Sequence, residues 1–117
     1  MTEIFMTKIK VLRILNRLNL GGPTYNAVFL SKYISSNFNT LILAGKKLES
    51  EESSKFIADK YKVKIKILKN MSRSINFFND LFSIYEVFKI IRKYKPDIVH
   101  THASKSGFIG RFVCIFF

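Results

Sequence analysis

Tryptophan is missing from this chain of 117 residues, and cysteine occurs once, as Cys114. A lone cysteine allows neither an internal disulfide nor a zinc site built on paired thiolates, and it is typical of a reducing compartment. Long apolar runs are also missing, because three charged residues interrupt the longest candidate, 75–91. The sequence therefore predicts no membrane-spanning helix, and residues 1–6 lack the basic and then apolar order of a signal peptide. These absences predict a cytoplasmic protein.

Acidic residues are scarce: eight of them stand against twenty lysines and arginines, which gives a net charge of +12. Such an excess is typical of nucleic-acid binding, of contact with an anionic membrane surface, or of a solvated lysine-rich surface that has no specific partner. The lysines are spread along the chain without an arginine-rich block, which favours the solvated surface first and membrane contact second. The pattern predicts no specific nucleic-acid partner, and any membrane contact is expected to be peripheral, at the inner face.

The apolar share of 48% is enough to build the core of one small domain. Strand-like and helix-like patterns alternate along the chain. The predicted strands are 10–16, 40–44, 63–67 and 97–101. The predicted helices are 23–36, 49–61, a helix from a cap at Ser74 to Lys95, and a last helix that begins at Ser104.

Helical spacing also predicts which side chains face the core. On the first helix these are Ala27, Leu30 and Ile34. On the third helix the predicted buried side chains are Phe77, Phe78, Leu81, Ile84, Tyr85, Phe88 and Ile91.

The alternation of strands and helices predicts an α/β fold, a Rossmann-like three-layer half-domain with a parallel sheet. The expected strand order is 3-2-1-4. The third strand alternates apolar residues with lysines, which is typical of a sheet edge. Strands one and four become neighbours, and the loops after them meet at the switch point where ligands bind.

The first of these loops contains Gly21 and Gly22, followed by Pro23 at the start of a helix. Glycines let a ligand approach the backbone closely, and the helix start presents free N–H groups. An ordinary strand-to-helix turn has the same residues, so the glycine pair alone does not decide between the two.

The second loop carries His100 and His102, which are two residues apart and so project from the same side of the strand. Ser104, Lys105 and Ser106 then begin a helix, which brings hydroxyls, a cation and backbone donors together as an anion site. For His100, a partly buried structural histidine is an equal alternative.

Other chemistries lack their residues. Neither G-x-x-x-x-G-K-[ST] nor G-x-G-x-x-G occurs in the sequence. The two histidines have no third ligand near them in the sequence, so no metal site is predicted.

Together these segments resemble family 4 glycosyltransferases. The residues that carry the resemblance are the strand 10–16, the Gly21-Gly22-Pro23 turn, and the motif P-D-I-V-H-T-H-x-S-K-x-G at 96–107, which continues to Arg111. The resemblance implies the GT-B fold, in which two Rossmann-like domains face each other across a cleft. Residues 1–117 would then be a truncated amino-terminal, acceptor-side domain, with the donor domain absent.

The resemblance also implies the chemistry. Such enzymes transfer a sugar from a nucleotide-sugar to a surface-glycan or lipid-linked acceptor, usually without a metal, and no cofactor is expected. Gly21 and Gly22 would lie near the donor diphosphate. His102 would contact the transferred sugar as the catalytic residue, with His100 behind it. The other implied substrate-binding residues are Ser104, Lys105, Ser106 and Gly107.

Because the resemblance covers one domain of a two-domain enzyme, the chain alone is predicted to be inactive. It could instead be half of a two-chain enzyme whose donor domain is a separate chain, a remnant of a decayed gene, or a small basic protein that binds nucleic acid or a membrane surface. The open edge of the fourth strand and the apolar last helix also predict self-association.

Overall fold

A computed structural model describes residues 8–16, 22–34, 36–46, 55–71 and 76–117. Four strands alternate with four helices in these ranges. In chain order they are β1 (Ile9–Leu15), α1 (Gly22–Tyr33), β2 (Phe38–Gly45), α2 (Lys55–Lys60), β3 (Ile65–Leu68), α3 (Phe77–Tyr94), β4 (Ile98–His102) and α4 (Ser104–Cys114). The predicted helix 49–61 is described only over its second half, and the residues before Lys55 lie outside the described residues.

The strands form one sheet in the order β3-β2-β1-β4, and every neighbouring pair is parallel. This confirms the predicted three-layer fold, its strand order, and the placement of β3 at an edge. β4 forms the other edge of the described sheet. In the register between β1 and β4, Arg13 lies opposite His100, and Leu15 lies opposite His102.

The core lies on both faces of β1, whose residues 11–15 are all buried. Leu15 packs with Ala27 and Val28 of α1, and with residues of α2, on one face. Leu12 and Ile14 pack on the other face, against α3 and α4. The sequence of a strand that is covered on both faces is a nearly continuous apolar run, because neither set of alternating side chains contacts water.

The third helix begins at a different cap from the predicted Ser74, which lies outside the described residues. Asn76 is the cap, and its side chain accepts a hydrogen bond of 3.0 Å from the N–H of Asn79. The helix ends at Lys95, which adopts a left-handed conformation and donates its N–H to the carbonyl of Ile91. Asn caps a helix as well as Ser does, and the helix begins two residues later than predicted.

The predicted buried faces of two helices were partly wrong. On α1 the buried residues are Thr24, Ala27 and Val28, and Leu30 is 41% exposed. On α3 the buried residues are Ser83, Val87 and Ile91, and Ile84 and Phe88 are partly covered. The remaining predicted members of this face point to solvent; they are Phe77, Phe78, Leu81 and Tyr85. The small side chains of Ser83 and Val87 let α3 approach the sheet closely. Helical periodicity shows that α3 has a strongly apolar side, but it does not show whether that side or the side with Ser83 and Val87 faces the sheet.

None of the helices in the described ranges combines the length and the apolar character that a bilayer crossing requires.

Candidate functional site

The loops that follow β1 and β4 meet at the edge of the sheet that the carboxyl ends of its strands form. Asn16 directly follows β1, and its side-chain oxygen accepts a hydrogen bond of 2.7 Å from the backbone N–H of Ser106 in the first turn of α4. Gly22 begins α1 and is exposed, and a Cβ placed on it would meet no atom within 4 Å. Gly21 lies outside the described residues. The end of β1 and the start of α4 therefore converge as the switch-point argument predicts.

The two histidines of β4 lie side by side on the sheet face that α1 covers. Their ring centroids are 4.3 Å apart, with 39° between the ring planes. The His100 side chain is exposed, whereas His102 is half-buried. The Nε2 atom of His102 is buried and makes no hydrogen bond within the described part of the chain. A buried polar atom without a partner is costly unless a ligand or a water satisfies it.

A buried arginine, which the sequence interpretation passed over, lies behind the histidines. Arg13 is 4% exposed, and its Nε donates to Ser31 Oγ at 3.1 Å. Its Nη1 lies 2.5 Å from Nδ1 of His100. A guanidinium group only donates, so Nδ1 of His100 accepts and the imidazole proton resides on Nε2. The sequence signal was present: an arginine interrupts an apolar strand at an inward position.

Burial and nearby positive charge favour the neutral form of both histidines. Although His100 is exposed overall, its ring is partly covered beside Arg13, and this partial burial and the Arg13 guanidinium lower the pKa of His100 below its usual value. Burial also lowers the pKa of His102, and His100 and Arg13 lower it further. Burial lowers the pKa of Arg13 as well, although an arginine still carries its charge at neutral pH. A neutral imidazole at His102 is suited to exchanging hydrogen bonds with a hydroxyl group.

Ser106, which is fully buried, links the first turn of α4 to the end of β4 by hydrogen bonds. Its Oγ donates to the carbonyl oxygen of His102 and lies 3.3 Å from the carbonyl oxygen of Ala103. Ala103 has a φ of 85°, a region that residues with a Cβ rarely adopt and that is often found at functional sites. Ser106 therefore fixes the backbone directly after His102.

Lys105 is held by a carboxylate of the neighbouring helix. Its Nζ lies 2.6 Å from Asp80 Oδ1, so the ion pair joins the first turn of α4 to the first turn of α3. Ser104 is exposed at the same helix start, and Gly107 is buried against Thr101. The structure thus places Ser104 at the surface, Lys105 in an ion pair, and Ser106 and Gly107 inside. Their binding of a ligand stays a prediction.

In the ranges that the structure describes, no three side chains of His, Cys, Asp or Glu come together as metal ligands. The groups at this edge are instead two neutral imidazoles, the exposed hydroxyl-bearing Ser104 and the exposed start of α1. Such groups bind hydroxyls and oxyanions by hydrogen bonds.

Comparisons by sequence show the family of this chain. Residues 26–115 match the family model described as glycosyl transferase 4-like. A stretch of 41 residues is 44% identical to the UDP-Gal:alpha-D-GlcNAc-diphosphoundecaprenol alpha-1,3-galactosyltransferase of Escherichia coli, and it covers 35% of this chain and 11% of that protein.

Two solved structures share the fold. A glycosyltransferase from Rickettsia africae superposes with a TM-score of 0.68 at 20% identity, over 94% of this chain and 27% of that one. A Listeria monocytogenes protein provisionally designated a UDP-N-acetylglucosamine 2-epimerase superposes with a TM-score of 0.67 at 17% identity, over 95% of this chain and 29% of that one. These likenesses show a Rossmann-like domain of the GT-B kind, and the chain spans less than a third of either solved structure.

Proposed function

The chain belongs to the glycosyl transferase 4-like family, and from this premise we propose that it forms the acceptor-side domain of a sugar-transferring enzyme. The donor is a nucleotide-sugar, and the acceptor is a surface glycan or a lipid-linked sugar. The observation that carries the proposal is the buried Nε2 of His102, which has no hydrogen-bond partner in the described ranges and lies where the ends of β1 and β4 converge.

His102 has the role of contacting the transferred sugar. Its imidazole exchanges a hydrogen bond with a sugar hydroxyl, and this bond satisfies Nε2, which has no partner among the described residues. His100 supports the ring of His102 from the side of Arg13. The proposal assigns no metal to the reaction, in keeping with the hydrogen-bonding groups at this edge.

The exposed start of α1 faces the donor diphosphate in this proposal. The open space around Gly22 admits a ligand close to the backbone. The positive end of the helix dipole favours a negatively charged group there. Ser104 supplies a further hydroxyl at the start of α4.

The matched relative supports the proposed acceptor class, because by its name it adds galactose to a sugar diphosphate carried on a polyprenol. We infer an acceptor of the same chemical class, a sugar joined through diphosphate to a lipid. Transfer then takes place at a membrane surface, and we expect the protein at its cytoplasmic face.

A transfer assay with the purified chain tests the division of labour between domains. We expect no product above background with UDP-galactose and a short-chain sugar-diphosphate-lipid, because the donor is held mainly by the second domain of the family. Product formation that His102→Ala abolishes would contradict the domain assignment while supporting the role of His102. Product formation that survives this substitution contradicts both.

A further inference from the structure

Large apolar side chains are exposed on the outer side of the layer that α3 and α4 form. Both helices pack on the same face of the sheet, and the ion pair between Asp80 and Lys105 joins their first turns. The sides of the two helices that point away from the sheet therefore form one surface. We name it the aromatic face, and it consists of Phe78, Leu81, Phe82 and Tyr85 on α3 with Phe108 and Phe112 on α4.

The exposure of this face is high for residues of its type. Phe78 is 70% exposed, Tyr85 is 61% exposed and Phe108 is 65% exposed. The rings of Phe108 and Phe112 stack with centroids 6.0 Å apart, so they form a ridge along α4 instead of folding into the core. Contiguous apolar surface of this kind marks an interaction site, because isolated soluble surfaces rarely carry it.

Cations continue the surface along the last turns of α3. Lys89, Arg92 and Lys93 are exposed there, and Lys89 Nζ lies 5.4 Å from the centre of the Tyr85 ring. Of the two carboxylates on α3, Asp80 is paired with Lys105. The other, Glu86, accepts a hydrogen bond of 2.8 Å from Asn70, beside β3. The outer side of α3 thus changes from aromatic to basic along its length.

We propose that the aromatic face docks the protein on an anionic bilayer surface, with the rings at the acyl–headgroup boundary and the cations of α3 on the lipid phosphates. Amphipathic helices with aromatic rings and lysines bind lipid interfaces in this way. Charge complementarity selects this partner, since the whole chain carries +12 and each cation near an anionic leaflet strengthens binding. The aromatic half lies where α3 and α4 begin, at the sheet edge that holds His102. The inference rests on this surface and not on the proposed sugar transfer.

A second aromatic cluster, on α1, differs in a way that makes it a control. Its rings cover one another: Phe29 lies 5.2 Å from Tyr61 and 6.3 Å from Tyr33, between ring centroids. Tyr33 is nevertheless 71% exposed, and it lies in the helical layer on the opposite face of the sheet.

Single tryptophan reporters test the proposal, because the chain contains no tryptophan of its own. Phe82→Trp places the reporter on the aromatic face, and Tyr33→Trp is the matched control. With vesicles of phosphatidylcholine and phosphatidylglycerol, we expect a blue shift and quenching by brominated lipid at position 82 alone. Equal responses at both positions, or none, overturn the proposal. A blue shift at position 82 that grows with protein concentration without vesicles also overturns it and assigns the face to self-association.

Charge variants separate docking by this face from attraction by net charge. Removing two cations with Lys89→Gln and Lys93→Gln is expected to weaken partitioning to the anionic vesicles about fivefold per cation. The control removes two exposed cations from the opposite layer, with Lys32→Gln and Lys60→Gln, at the same net charge. Co-sedimentation measures both. Equal weakening by the two pairs contradicts the proposal, since net charge would then account for binding.

Discussion

Replacing Gly110 by alanine tests how closely α4 approaches the sheet beneath the candidate site. A Cβ on Gly110 would lie 2.7 Å from Cγ2 of Thr101 in β4 and 3.3 Å from Cδ1 of Ile14 in β1. Carbon atoms are in favourable contact at about 3.5–4.0 Å. Ile14 is fully buried, and the β-branched Thr101 has little freedom to turn away. The added methyl group therefore overpacks the contact.

Gly107→Ala is the matched control on the same helix. Its Cβ would meet Thr101 Oγ1 at 3.5 Å, which is ordinary contact. Both substitutions gain about 1 kcal/mol of helix propensity over glycine, so that gain cancels when the two variants are compared. Overpacking costs about 1–3 kcal/mol. The free energy of unfolding of Gly110→Ala is therefore expected to be lower than that of Gly107→Ala by about 1–3 kcal/mol.

Urea titrations followed by far-ultraviolet circular dichroism measure this difference without needing tryptophan. A third variant, Gly110→Ala with Thr101→Ser, removes the methyl group that collides, and a double-mutant cycle is expected to show that the two substitutions couple favourably. If Gly110→Ala is as stable as Gly107→Ala, or if no coupling appears, α4 does not lie on β4 and β1 as described.

Three further outcomes are expected. Because the pKa values of His100 and His102 are lowered in the fold, the unfolded chain takes up protons below about pH 6.5 that the folded chain does not. The free energy of unfolding is therefore expected to fall as the pH drops through that value toward the folded pKa values, and His102→Gln should flatten the fall in urea midpoints. Asn16→Ala removes the acceptor for the N–H of Ser106 and should cost about 1 kcal/mol; Asn16→Asp keeps an acceptor, and an equal loss in both variants would refute the bond. Arg13→Met removes the donor to His100, so the pKa of His100 is expected to rise and its Nδ1 to gain a proton in nitrogen-15 spectra, whereas an unchanged tautomer would show that Arg13 does not set it.

The sheet could be predicted from sequence because strands and helices alternate along the chain and because β1 and β3 have distinctive patterns of apolar residues and lysines. The buried run of β1 requires cover on both faces, and the lysines of β3 fit an edge. Strand alternation with helices then leaves a right-handed parallel topology, which brings the ends of β1 and β4 together. The adjacency of His100 and His102 follows from their spacing of two on a strand.

Features that depend on tertiary contacts could not be predicted from the sequence. Helix α3 has apolar residues on more than one side, and contact with the sheet selects the narrow side that contains Ser83 and Val87. The ion pair between Lys105 and Asp80 joins two helices that are distant along the chain. Arg13 was predicted only as a member of the first strand. Its partner, His100, lies opposite it in the sheet, and this pairing depends on the register between two strands. These are pairings between elements, which local periodicity does not encode.

Amide chemical shifts of the nitrogen-15-labelled chain, recorded during titration with a water-soluble sugar-diphosphate-lipid analogue, test the central claim that this domain holds the acceptor beside His102. We expect the shifts to concentrate on residues 102–107, and we expect His102→Ala to abolish them while Tyr33→Ala leaves them unchanged. Shifts confined to other surfaces, or a spectrum that does not change at saturating analogue, would contradict it.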